Sequence, residues 1–126
     1  MEAAKKVLIA EDSSVIQNLT RKILQIQNYE IFSAKNGTQV LEMLAKEDYD
    51  IILMDINMPQ MDGIECAKRI RALDNKKKSQ IPIVAITGNA INYSLEDFRS
   101  VGIDDYLQKP LNFDLLVETV KRLIQD

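Results

Sequence analysis

Ile51-Ile52-Leu53-Met54, closed by Asp55, is the stretch from which the fold can be read. Four aliphatic residues in a row, without polar alternation, describe a strand buried on both faces, and the acid marks where it leaves the core. Two similar runs lie on either side in the chain. Val7 to Ala10 ends at Glu11-Asp12, and Ile83 to Ile86 ends at Thr87. A weaker run, Tyr106-Leu107, stands just before Lys109, and the more polar Tyr29 to Ala34 reads as an edge strand.

Helical spacing fills the intervals. Val15, Leu19, Ile23 and Ile26 recur at steps of four or three between Ser14 and Gln27, which predicts a helix with those residues on its apolar face. Asn36 to Lys46 carries Val40, Leu41 and Leu44 behind Asn36 as a cap, and Asp62 to Leu73 carries Ile64, Ala67 and Ile70 behind an acid. Ala90 to Val101 carries Ile91, Leu95 and Phe98, with Gly102 placed to end it, and Asn112 to Ile124 carries Leu116, Val120 and Leu123. Strand and helix thus alternate five times, which implies an α/β fold: a parallel sheet covered on both faces, doubly wound by right-handed crossovers. Lys76-Lys77-Lys78, the one charge run, reads as a solvated loop.

Composition narrows the function. The 126 residues suit one domain, with 46% hydrophobic and 28% charged residues. Sixteen basic against nineteen acidic residues give a net charge of −3, which argues against nucleic-acid binding through bulk positive charge. No apolar run approaches a membrane span, the N-terminus is too short in apolar residues for a signal peptide, and the single Cys66 fits a reducing compartment, so a cytoplasmic location is expected. Cys66 itself, amid Ala67 and Ile70, reads as a buried thiol. Histidine is absent, which removes Ser-His-Asp and Cys-His catalysis and histidine-ligated zinc. Carboxylate, hydroxyl, amide and lysine chemistry remain.

Those groups cluster by position. Glu11, Asp12, Asp55, Thr87 and Lys109 all follow strands, and ligands of open α/β sheets bind outside the carboxyl ends of the strands. Three gathered carboxylates repel one another, and a divalent cation relieves that repulsion. Mg²⁺ takes oxygen ligands in an octahedron, which Asp12, Asp55 and a backbone carbonyl beyond Asp55 supply in part, with Glu11 holding a metal-bound water. Lys109 adds a counter-charge and Thr87 a hydroxyl. Such a constellation suits transferred phosphoryl charge, and Asp55 is the residue to attack phosphorus.

With these motifs in place, the chain resembles the receiver domain of two-component response regulators. The likeness rests on Glu11-Asp12, on Leu53 to Pro59 with Asp62-Gly63, on Thr87-Gly88 and on Lys109-Pro110, and it spans essentially all of 1–126, with a core of about 5–125. The resemblance implies a flavodoxin-like five-stranded sheet in order 2-1-3-4-5. It implies Asp55 as phosphoacceptor from a phosphohistidine on a sensor histidine kinase or histidine phosphotransfer domain. It also implies Mg²⁺ held by Asp12, Asp55 and the main-chain carbonyl of Asn57, with Glu11 acting through water. Lys109 and Thr87 would bind the phosphoryl oxygens, the Lys109-Pro110 peptide would be cis, and Thr87 with Tyr106 would form a switch. That switch would reshape the surface of the fourth expected helix, the fifth strand and the fifth expected helix for a downstream protein target. The alternative for Tyr106 is a half-buried strand aromatic. Asn57 and Asn89 flank the site as amides, neither able to serve as a general base, so slow to moderate self-dephosphorylation is expected.

The Gly102 to Pro110 stretch and Thr87 to Ala90 look most like receivers attached to hybrid sensor kinases, although standalone regulators share parts of both. The chain ends at Asp126 without an output domain, so output is expected through protein contact or a further domain. The chain is expected not to be an enzyme beyond assisting its own phosphorylation and dephosphorylation. Three other readings compete. A haloacid-dehalogenase-type phosphatase would want Asp where Asn57 stands. A flavin carrier would want a phosphate loop where Glu11-Asp12 would repel phosphate. A degenerate receiver would serve only as an interaction module, against which the full set of site residues argues.

Overall fold

The computed structural model of the chain describes residues 4–88 and 93–124. Asn89, Ala90 and Ile91, which figure in the expectations above, lie outside the described residues. The strands are β1 (Lys6–Ala10), β2 (Glu30–Ala34), β3 (Ile51–Asp55), β4 (Ile83–Thr87) and β5 (Asp105–Gln108). The helices are α1 (Ser14–Ile26), α2 (Gly37–Lys46), α3 (Gly63–Arg71), α4 (Lys76–Ser79), α5 (Leu95–Ser100) and α6 (Phe113–Ile124). All strand pairs are parallel, in order β2-β1-β3-β4-β5. This is the doubly wound order expected, with the polar strand at the edge.

Strand alternation divides the core in two. Leu8, Ala10, Ile52, Met54, Ile83 and Ala85 face α2, α3 and α5, meeting Val40, Leu44, Cys66, Ala67, Ile70 and Phe98. Val7, Ile9, Ile51, Leu53, Val84 and Leu107 face α1 and α6, meeting Leu24, Leu116 and Val120. Every residue of β3 and β4 is buried, as central parallel strands require. Cys66 is fully buried, and burial above all pushes its thiol up to about 12, so it is a packing residue.

Three expectations need correction. Lys76–Ser79 is a turn of helix, not a plain loop: Asn75 caps it by accepting from the Lys78 amide, and the Lys78 ammonium donates to the Leu44 carbonyl at the end of α2. That contact satisfies an orphan carbonyl where the helix dipole favours a cation. In the described part of the helix expected over Ala90 to Val101, Ser94 is not helical but extended, and it caps α5 from Leu95 through a reciprocal capping box with Asp97. The apolar stripe of α1 is misassigned by its spacing. Val15, Leu19 and Ile26 are 67%, 50% and 73% exposed, whereas Gln17, Thr20 and Leu24 face the core. Both polar residues can be buried because their polar atoms find carbonyls, Thr20 Oγ1 donating to Ile16 and Gln17 Nε2 to Glu11 and Ala34.

Caps at Asn36 and Asp62 form as read. Gly102 follows α5 with φ of +91°, and a Cβ there would lie 2.5 Å from Arg71 Cγ. The close approach is used: the Arg71 guanidinium donates to the Gly102 and Ser79 carbonyls and to Asp104, tying α3, α4 and the entry to β5 together.

Candidate phosphoryl and metal site

Register brings the acids together. Ala10 pairs with Met54, so Glu11 and Asp55 leave adjacent strands side by side. Carboxylate oxygens of Glu11, Asp12 and Asp55 lie within 4.8 Å of one another; Glu11 and Asp55 are each 2% exposed, and Asp12 is open to solvent. One oxygen of each buried acid is held by its own loop, Glu11 Oε2 accepting from the Ser13 amide at 3.1 Å and Asp55 Oδ1 from the Asn57 amide at 3.0 Å. The other oxygen faces Lys109. Its Nζ donates to Asp55 Oδ2 at 3.0 Å and stands 3.4 Å from Glu11 Oε1, an ion pair without hydrogen-bond geometry.

Lys109 arrives from β5 with its amide donating to the Thr87 carbonyl, and the Lys109-Pro110 peptide is cis. Thr87 is buried at the end of β4. By alternation it falls on the face of Ile83 and Ala85, the face that Tyr106 joins through its pairing with Ala85. The Tyr106 ring is half-buried and packs on Phe98 with centroids 5.3 Å apart. Asn57 is exposed in the loop beyond β3.

Gly63 shapes this loop from below. Its amide donates to the Ile56 carbonyl, and a Cβ would lie 2.8 Å from the Asp55 carbonyl oxygen and 3.0 Å from Ile56 Cα. Both neighbours are backbone, so the glycine serves close packing. Gln17, which the spacing did not single out, holds the other side of the site through its two carbonyl bonds. The signal available was a polar residue within the stripe of Thr20 and Leu24.

The charges are unbalanced, with three carboxylates facing one ammonium. Burial first, and then the neighbouring Asp55, raises the Glu11 carboxyl to about 7 against the backbone bond from Ser13. Burial disfavours the Lys109 ammonium, but the hydrogen bond and charge of Asp55 outweigh it and raise its pKa. A buried Glu11 oxygen that accepts no hydrogen bond and an all-oxygen donor set fit a hard divalent cation such as Mg²⁺.

A pH dependence follows. With the Glu11 carboxyl raised from 4.5 to about 7, the folded state keeps a proton that the unfolded chain releases over that interval. Metal-free stability is therefore expected to fall as pH rises from about 4.5 to 7, by roughly 2–3 kcal/mol. A cation favours the ionised form, so Mg²⁺ binding is expected to expel up to one proton near pH 6 and to tighten towards pH 8. Calorimetric titration at pH 6 in two buffers of different ionisation enthalpy counts the proton; a count of zero contradicts the assignment.

Among the described residues no helix is long and apolar enough to cross a membrane. The response regulator receiver domain family model matches residues 7–121. The chain is 38% identical over 125 residues to hybrid signal transduction histidine kinase I of Dictyostelium discoideum, covering 95% of this chain but only 7% of that protein's length. It is 31% identical over 122 residues to the polar-differentiation response regulator DivK of Brucella anthropi, covering 97% of this chain and 98% of that protein. The solved receiver domain of sensor histidine kinase PA1611 from Pseudomonas aeruginosa, with a magnesium ion coordinated in its active-site cleft, is 31% identical and superposes with a TM-score of 0.88 over 98% of this chain and 100% of the other. Shared sequence along nearly the whole chain, on the same five-stranded frame, makes this protein a member of the response regulator receiver domain family of two-component signalling.

Proposed function

We propose that Asp55 accepts a phosphoryl group from a phosphohistidine on a sensor histidine kinase or histidine phosphotransfer domain, in a Mg²⁺-dependent reaction. The observation that carries this reading is the Lys109 Nζ to Asp55 Oδ2 bond of 3.0 Å inside a buried cluster of acids. An Asp55 oxygen forms the new bond to phosphorus as the bond from phosphorus to the histidine nitrogen breaks, and the departing imidazole keeps its electron pair and then takes a proton. Asp12, Asp55 and the Asn57 carbonyl would hold the metal, with Glu11 reaching it through water; the ion supplies charge neutralisation for the transferred group. Lys109, already on Asp55, moves its hydrogen bond to a phosphoryl oxygen, and the Thr87 hydroxyl donates to another. Residues 1–126 act as one receiver unit in the cytoplasm, without binding nucleic acid or membrane and without turning over a separate substrate.

Beside the site runs an apolar groove of roughly 570 Å³, lined by Ile16, Leu19, Lys109, Pro110, Leu111 and Phe113. Its continuity with Lys109 suits a donor protein that must bring its phosphohistidine to Asp55. Leu19→Asp is expected to slow transfer from a histidine phosphotransfer domain by about tenfold or more, one buried interface anchor being worth over 1 kcal/mol, while labelling by acetyl phosphate changes less than twofold. Equal slowing with both donors contradicts this surface.

Phosphorylation is read out on the far side of Thr87. Its hydroxyl turning to the phosphoryl group opens space on the face that Tyr106 shares, and Tyr106 reshapes the surface of α5, β5 and α6 for a downstream protein. Driving such a switch from 1:99 to 99:1 takes about 5.5 kcal/mol, within reach of a phosphoryl dianion with several charge-assisted bonds. The test is intact-protein mass spectrometry with acetyl phosphate: one phosphoryl gain with Mg²⁺, none with chelator, and a lifetime well beyond a few seconds without phosphatase. A folded protein that gains nothing under any donor is an interaction module instead.

A further inference from the structure

We infer that Gln17 is a positioning residue for the metal-binding acids, locking the end of β1 against the end of β2 so that Glu11 and Asp12 enter the site in a fixed direction. The inference rests on the phosphoacceptor reading and deepens it. Gln17 is buried on the core side of α1, where an apolar residue would ordinarily sit. Its Nε2 donates both protons, to the Glu11 carbonyl at 2.7 Å and to the Ala34 carbonyl at 2.8 Å. The Ala34 carbonyl also accepts from the Glu11 amide at 3.0 Å, so the peptide groups on both sides of the Glu11 Cα are fixed to one bracket. The same side chain therefore sets the backbone from which the Glu11 and Asp12 carboxylates project.

Burying an amide has a cost, and here that cost is met by two well-made bonds. A simpler apolar residue could pack the helix, but would leave the Glu11 carbonyl without this donor. Groups that orient metal ligands from behind are typically worth 10–100-fold in metal affinity. The effect of Gln17 should therefore appear in metal binding and not only in stability.

The experiment compares Mg²⁺ dissociation constants, by calorimetry on the full chain, for the wild type, Gln17→Met and Leu24→Val. Methionine keeps the length of the side chain and removes both donors. Leu24→Val thins the same buried face of α1 two turns further on, away from the acids. Both variants are expected to lower the urea midpoint, but only Gln17→Met is expected to raise the dissociation constant, by about tenfold. A folded Gln17→Met protein with affinity within twofold of wild type overturns the inference, as does an equal loss in Leu24→Val. A second measurement needs no variant: in the wild type, the Gln17 side-chain amide resonances are expected to shift on Mg²⁺ titration with the same midpoint as the site, and their failure to move overturns it. A wild type that binds no Mg²⁺ at all refutes the phosphoacceptor reading itself, a result distinct from equal binding by wild type and variant.

Discussion

In a Lys109→Ala variant, Mg²⁺ is expected to bind more tightly than in wild type while phosphorylation by acetyl phosphate slows about 10²–10³-fold. The two effects have opposite signs because the lysine does two jobs. In the resting protein its ammonium lies 3.0 Å from Asp55 and 3.4 Å from Glu11, where it neutralises charge that a cation would otherwise neutralise. A unit pair at 4 Å is worth about 4 kcal/mol at an effective dielectric near 20, and part of that is returned to the metal when the ammonium is gone. About tenfold tighter binding, or 1.4 kcal/mol, is the expected share. In the transfer proposed above the same ammonium would donate to a phosphoryl oxygen beside the Thr87 hydroxyl, and one lost donor to developing charge has a cost on that scale. Without metal the variant is also expected to be less stable at neutral pH, because buried Asp55 and the ionised fraction of Glu11 lose their counter-ion. Calorimetry, mass spectrometry and urea unfolding read the three quantities; parallel loss of affinity and rate contradicts the arrangement.

Asp55→Asn is expected to abolish phosphoryl incorporation while the protein still folds. The amide keeps the shape of the side chain and can still accept from the Asn57 amide through its oxygen, as Asp55 Oδ1 does. It has no charge with which to attack phosphorus or bind a hard cation, so Mg²⁺ affinity is expected to fall about 10-fold or more. Glu11 reports the change independently. Asp55 is among the causes that raise its carboxyl, so in the variant that carboxyl is expected to titrate nearer its ordinary range, visible by carbon-detected NMR. Phosphoryl gain on another residue of the variant, or an unmoved Glu11 titration, contradicts the role proposed for Asp55.

The sheet and the gathering of Glu11, Asp12, Asp55 and Lys109 at one edge of it were legible because they depend on short-range rules. Ile51 to Met54 has only one environment open to it in a single domain of this composition, and polar residues that end buried strands emerge at one edge. The α1 face was not legible. Val15, Leu19 and Ile26 satisfy helical periodicity, yet they form the outward stripe, because periodicity detects a stripe without saying whether this chain or another covers it. Gln17 escaped for the complementary reason: its burial depends on two carbonyls, from β1's exit and from β2, that only the tertiary fold brings together. The turn at Lys76–Ser79 is likewise anchored through Lys78 on Leu44, more than thirty residues away. Sequence spacing located Tyr106 on its strand; its packing on Phe98 belongs to the assembled face.

A crystal structure of the wild type grown at saturating Mg²⁺ tests the account most directly. The expected result is one ion bound by the carboxylates of Asp12 and Asp55 and the main-chain oxygen of Asn57, with Glu11 meeting it through an ordered water and Lys109 still beside Asp55. A structure in which Glu11, Asp12 and Asp55 diverge, or in which no cation lies between them at that concentration, would contradict it.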